Sequence, residues 1–435
     1  MKASEKFLVK KVSVENTILK YVFLPYVLCY LILWLLPVEA NIPNSGTNFL
    51  LNITFVFLIV TVSLFIDKIF SSGEQKNKSL KKMTVKKMKF VICLSTISSF
   101  LGLLLIAYDR IFIRGINYQN GLRAARYDWK ATTGGSIFGF FGNLLINSAY
   151  ISIIMLILNF DKMCTKERNI CFLVSSISIF GFGALNGGRS NIFFMFAFLI
   201  VSLVIRKTLN GKKIRLKKRA YFIIVLFSVF AIIFCLMMFA SSANMNKLNF
   251  KTQAQLGINE LYGKTGETFA KIKNPNDLRY LIIYAFSYII HGQWTAETIF
   301  SFNNFVGDEV FYLYKDFLHG FGILKHTPIP SYIKADGVFL SFPGALYYDY
   351  NILGVIFGSI FLGCLLGWII TLLRRPESMT GIKLLITVYT LLVIILSPFF
   401  FALGFIYVNF AIFDFLVIIL ISDIKFGKTS WLLIE

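Results

Sequence analysis

The chain has 435 residues, 57% of them hydrophobic and only 15% charged, with a mean hydropathy of +0.71. A soluble protein of this length cannot bury that much apolar surface, and the alternating pattern of a membrane β-barrel is absent, so the expected fold class is all-α, a polytopic helical membrane protein. A formal net charge of +22 would suggest nucleic acid in a soluble protein; here it is read as the excess of Lys and Arg in cytoplasmic loops that fixes orientation, with no nucleic-acid partner.

The first apolar run, 21–38, follows a lysine-bearing N-terminus. It is longer than a secretory signal core and further spans follow, so it is expected to remain as a signal anchor. Further spans are predicted at 49–66, 90–107, 135–158, 170–185, 190–205, 220–240, 351–373, 382–399 and 402–421, about ten in all. Lys2, Lys6, Lys10, Lys11 and Lys20 precede the first, and Lys68 to Lys89 follow the second. Lys162, Lys166 and Arg168 follow the fourth, and "RKTLNGKKIRLKKR" follows the sixth. Arg374, Arg375 and Lys383 follow the eighth, and Lys425 and Lys428 follow the last. Every second gap is basic, which places these gaps and both termini on the cytoplasmic side. The chain therefore divides into an N-terminal bundle of seven spans over 1–240, a large external loop over 241–350, and a three-span bundle over 351–435. None of the six cysteines falls in a predicted external loop, so no disulfide framework is implied. No CxxC pair, zinc site, Walker motif, GxGxxG, HExxH or nucleophile elbow is present, and no cofactor or metal is expected.

Three outer segments are more than plain loops. "YDRIFIRGINYQNGLRAARYDWKATTGG" carries Arg110, Arg114, Arg123, Arg126 and Lys130 against Asp109 and Asp128, contrary to the orientation rule. The inner gaps are mostly Lys, whereas this one is mostly Arg, whose planar fork grips phosphate oxygens in two places. The second is Arg189 in "ALNGGRSNIFF", between spans five and six. Gly187 and Gly188 permit a sharp turn, Ser190 is suited to cap the next helix, and exposed amides beside the Arg suit an anion. The third, Ser241 to Tyr350, holds all three histidines (His291, His319, His326). Its "LRYLIIYAFSYII", Leu278 to Ile290, is too short to span and is expected as an amphipathic or re-entrant helix.

The Gly187-Gly188-Arg189-Ser190 corner and the segment "SFPGALYYDYNILGVIFGSIFLGCLLGWI" after a large late loop resemble the oligosaccharide repeat unit polymerases, the Wzy or O-antigen and capsule polymerase family. The corner is similar to the family's Gly-x-Arg-Ser/Thr. Asp349, Tyr350 and Gly354 fit its Asp-Phe-Gly-x-x-Gly pattern, with Asn351 in place of the first Gly. The family's Arg-x10-Gly spacing occurs at Arg110–Gly121 and Arg123–Gly134, and the His-x10-Gly spacing of the related ligases at His326–Gly337.

The resemblance implies a metal-independent glycosyltransferase of GT-C-like character at the external face of the inner (cytoplasmic) membrane. It would transfer a growing glycan from undecaprenyl pyrophosphate to the non-reducing end of another lipid-linked repeat unit, for surface polysaccharide such as O-antigen or capsule. The implied partners are undecaprenyl-pyrophosphate-linked oligosaccharides, the lipid bilayer, a chain-length regulator and a flippase. Arg110, Arg114, Arg123, Arg126, Arg189 and Arg279 would hold the pyrophosphate, with Arg189 acting at the leaving group and His326, Asp336 and Asp349 as candidate bases. The alternative is a lipid-linked oligosaccharide flippase or transporter, which should show two similar halves that this chain lacks.

Overall fold

The computed structural model describes residues 2–42, 44–72, 81–119, 121–131, 136–210, 229, 233, 236–237, 239–243, 246–300, 309–320, 322–325 and 339–432. The protein is an all-α polytopic membrane protein. Among the described residues, eight segments are long and apolar enough to cross a membrane: Val14–Leu35, Ser45–Phe70, Val85–Ile113, Ile137–Leu158, Thr165–Asn186, Ser190–Leu209, Phe342–Arg374 and Ile406–Phe426. The span expected at 382–399 is present as the shorter apolar helix Gly381–Leu396. The one expected at 220–240 lies largely outside the described residues.

In chain order the elements are α1 (Lys2–Leu35), β1 (Val38–Ala40), α2 (Ser45–Ser72), α3 (Val85–Tyr108), α4 (Leu122–Ala131), α5 (Ile137–Ile146), α6 (Ser148–Leu158), α7 (Thr165–Asn186) and α8 (Ser190–Asn210). There follow α9 (Phe250–Glu260), β2 (Gly263–Thr265), α10 (Glu267–Ala270), α11 (Leu278–Ile299), α12 (Tyr312–Gly320), α13 (Phe342–Arg374), α14 (Gly381–Leu396) and α15 (Ile406–Phe426). Short polar residues start many of them. Thr84, Ser136, Asn249, Asp277, Ser341 and Thr380 each accept a first-turn amide with the side chain, which satisfies a donor the helix cannot.

Packing in the bundle follows small residues. α13 lies along α2, where Gly363 and Gly367 form a Gly-x-x-x-Gly stripe. A Cβ on Gly367 would sit 2.5 Å from the Ser63 carbonyl oxygen, so only glycine allows the two backbones this close. Nearer its start α13 kinks at Asn351, with φ +55° and ψ −157°. That region is essentially glycine territory, so Asn351 stores strain. Its Oδ1 accepts the Ile352 amide at 2.8 Å, which offsets little. Asn351→Gly is therefore expected to stabilise the protein by about 1 kcal/mol, read as a raised unfolding temperature in the same detergent; an unchanged or lower temperature would refute the strain.

One end of the bundle carries the N- and C-terminal segments and is tied by ion pairs. Arg374, at the end of α13, reaches Asp67 at 2.6 Å and Glu15 at 2.5 Å. Lys87 reaches Asp423 at 2.5 Å and lies over the buried Trp431 ring. Arg206 on α8 bonds Asp161 at 2.6 Å and the Ile157 carbonyl at 2.8 Å.

The opposite end carries the long loops. β1 pairs antiparallel with β2 through Val38–Thr265, Glu39–Lys264 and Ala40–Gly263. A satellite core of Ile258, Phe269, Tyr280, Ile290 and Trp294 packs against Cys29 and Val38 of the α1 end. The large loop is thus built onto the bundle. α11 runs past Ile290 to Ile299, longer than its apolar stretch suggested. Its polar second half is buried because partners meet it there. Asn48 and Asn52 amides donate to Gln293 Oε1 at 2.8 and 2.9 Å, and the Asn44 amide donates to Glu297 at 3.0 Å.

Candidate functional site

The site is built around the α7–α8 corner. Gly187 adopts φ +57°, its amide bonds the Ala184 carbonyl at 3.2 Å, and the Gly188 amide bonds the Gly183 carbonyl at 2.9 Å. This is a Schellman closure, which requires the left-handed residue that glycine supplies. α8 then begins at Ser190. The Phe193 amide bonds the Arg189 carbonyl at 3.2 Å, so Arg189, not Ser190 as the sequence suggested, holds the cap position.

α4, a helix the sequence did not announce, lies across this corner. A Cβ on Gly187 would sit 2.6 Å from the Leu122 carbonyl oxygen. Arg126 of α4 donates to the Gly187 carbonyl at 3.3 Å. Burial lowers the Arg126 pKa from its ordinary value, and the charges of Arg123 and Arg189 push the same way. Among the described residues no carboxylate pairs with Arg123, Arg126 or Arg189. Three guanidinium groups thus share one region with no ion-paired carboxylate among the described residues.

Arg189 is half-buried, with its guanidinium 3.8 Å from the Phe239 ring centroid and 4.7 Å from that of Tyr288. Such stacking leaves the donor edge of the fork for an anion. The same Arg lines a cavity of about 130 Å³ whose other walls include Phe193, Phe194, Phe339, Phe400 and Phe405. Among the described residues Arg189 is the one charged group in that aromatic lining. Tyr284, a turn before Tyr288, lies within electrostatic reach of both Arg189 and Arg123.

His291 fixes one wall. Its Nδ1 meets the Tyr288 carbonyl at 2.7 Å, and its Nε2 accepts the Phe339 amide at 2.9 Å. A carbonyl can only accept, so Nδ1 carries the proton and the ring is neutral. It joins α11 to Phe339, which then faces the cavity. The spacing of Tyr284, Tyr288 and His291 places all three on one helical face, a signal that the early end assigned to this helix concealed.

The other candidate residues fall elsewhere. Arg110 and Arg114 both pair with Asp109, at 2.9 and 3.0 Å. Arg110 is 1% exposed, bonds Asn186 Oδ1 at 3.2 Å and stacks on Trp129 at 4.1 Å. It ties the end of α3 to the residue before Gly187 and so supports the corner. These contacts leave Arg110 little to offer a ligand.

Arg279 lies outside the arginine group. It is 65% exposed, pairs with Asp277 at 2.8 Å, and stands about 13 Å along α11 from Tyr288. Asp349 is fully buried, and its carboxylate accepts the Glu309 and Val310 amides at 2.9 and 2.7 Å. It shapes the turn before α12. His326 and Asp336 lie outside the described residues.

Among the described residues no group of His, Cys, Asp and Glu is arranged to hold a metal ion. No family model, no curated protein and no solved structure matches this chain.

Proposed function

We propose that the protein is a membrane glycosyltransferase that polymerises lipid-linked oligosaccharide repeat units. It passes a growing glycan from undecaprenyl pyrophosphate to the non-reducing end of another lipid-linked unit. The observation that carries this reading is the trio Arg123, Arg126 and Arg189, without an ion-paired carboxylate among the described residues, beside an aromatic, apolar cavity. A lipid pyrophosphate has the same two-part character, a concentrated negative charge joined to hydrocarbon. As the glycosidic C–O bond breaks, negative charge builds on the departing pyrophosphate, and cations fixed in advance stabilise it most at that moment. Arg189 and Arg126 take this role, Arg123 adds to the field, and Arg110 and Arg114 act as the framework beneath. Asp349 is committed to the turn it caps, so His326 and Asp336 remain the candidate bases for the acceptor hydroxyl. The alternation of basic gaps supports a cytoplasmic-membrane orientation with both termini inside and the corner on the external face.

The test is the surface glycan of a strain lacking the protein. A polymerase predicts single repeat units capping the lipid carrier or core. Complete loss of surface repeats would favour a flippase and contradict the proposal.

A further inference from the structure

A second polar feature lies inside the bundle, at Asp414. It stands eight residues into α15, about 12 Å from that helix's start, and is 6% exposed. Its carboxyl lies beside the backbone amide of Ser148. That amide is available because the span 137–158 breaks at Asn147, which separates α5 from α6. Among the described residues Asp414 Oδ2 has no hydrogen-bond partner. The Tyr389 hydroxyl on α14 and Asn147 Oδ1 are likewise buried and unpartnered, and Tyr389 lies within electrostatic reach of Asp414.

Among the described residues, the elements packed against α15 bring it no positive charge at this depth. α5 has no titratable residue, and α6 has only Tyr150. α14 has Tyr389 and Lys383, and Lys383 bonds the Ser378 carbonyl at 3.1 Å near its own helix end. α3 has Lys86, Lys87 and Lys89 in its first turns, then Cys93 and Tyr108; Lys87 is held by Asp423 and Lys89 by Glu167. On α15 itself Tyr407 lies toward the loop end and Lys425 stacks on Phe90.

A carboxylate at this depth with one amide for company is costly unless a cation or a proton neutralises it. We propose that Asp414 is a proton-binding site within the membrane bundle, beside the Ser148 amide and within electrostatic reach of the Tyr389 hydroxyl. Intramembrane acids are rare and mark ion or proton pathways. Tyr389, Tyr150 and Tyr407 each lie within electrostatic reach of the next, and Tyr407 within reach of Arg126 and Arg110. This inference does not depend on the glycosyltransferase reading.

Dicyclohexylcarbodiimide tests it, because the reagent adds to protonated carboxyls in apolar surroundings and leaves a stable acylurea one reagent heavier. In the full-length protein reconstituted in liposomes, peptide mass mapping is expected to find the adduct on Asp414, with labelling that falls as pH rises. Asp414→Asn should remove it and unfold at the wild-type temperature. Infrared spectra of wild type minus Asp414→Asn should show the carbonyl band of a protonated carboxylic acid. No adduct on Asp414 and no such band at any pH would overturn the proposal. Protection by sodium chloride at fixed pH, with no dependence on pH, would assign the site to a metal cation and overturn it equally.

Discussion

Arg189→Ala is expected to abolish long-chain surface glycan while the protein still inserts and unfolds at its usual temperature. The side chain leans on the Phe239 and Tyr288 rings at the edge of the cavity and makes no ion pair among the described residues, so removing it breaks no protein charge pair. On the proposed reaction it would remove a fixed positive charge where the leaving group gains its negative one, an effect of about 10²- to 10³-fold in rate. Arg189→Lys should recover only part of it, because a point charge restores the field but not the fork or the stacking. Arg126→Ala should also shorten the glycan. It carries a stability cost that Arg189→Ala does not, since it removes the bond to the Gly187 carbonyl. The readout is the length ladder of the glycan together with membrane-inserted protein level. An unchanged ladder in Arg189→Ala refutes the role.

The largest stability effect is expected at the opposite end. Arg374→Ala should destabilise the protein by about 3–5 kcal/mol, because it leaves Asp67, fully buried, without its partner. Much of that cost is the stranded charge, not the worth of the pair. The double substitution Arg374→Met with Asp67→Leu should therefore lose far less than Arg374→Ala alone. Glu15 is 21% exposed on its side chain and can turn to water when the Arg is gone. Thermal unfolding of all variants in one detergent, at one protein concentration, measures this. A loss below about 1 kcal/mol in Arg374→Ala would show that the pair behaves as a surface pair.

Much of the bundle was legible because its signals are local. Apolar length marked the spans, and the Gly363–Gly367 stripe and the Gly187-Gly188 turn each state a backbone requirement. The α11 boundary was not legible. His291, Gln293, Thr295 and Glu297 look like the end of a buried helix, and it is distant groups, among them Asn44, Asn48, Asn52, the Pro398 carbonyl and the Phe339 amide, that satisfy them there. The three-residue strands β1 and β2 are too short to show alternation and exist through their pairing. Asn351 stood where a glycine was expected, and the backbone there still takes a glycine-like conformation.

The arginines show the same division. Composition distinguished an Arg-rich outer segment from Lys-rich inner ones, but not which arginines remain available. Arg110 and Arg114 are claimed by Asp109 through a π-helical turn at Asp109–Ile113 that puts three charges together. Arg123 and Arg126 escape because α4 turns them toward the corner. Arg279 carries its own acid two residues earlier, in the helix cap.

The account rests on the arginine corner binding a phosphorylated lipid. Its most direct test is the affinity of the purified protein, in lipid nanodiscs, for undecaprenyl pyrophosphate. Arg189→Ala and Arg126→Ala should each weaken binding about tenfold or more, as expected for loss of one charge-assisted contact, while Arg279→Ala leaves it unchanged. Equal affinity in wild type and Arg189→Ala, or a loss in Arg279→Ala as large as in Arg189→Ala, would contradict it.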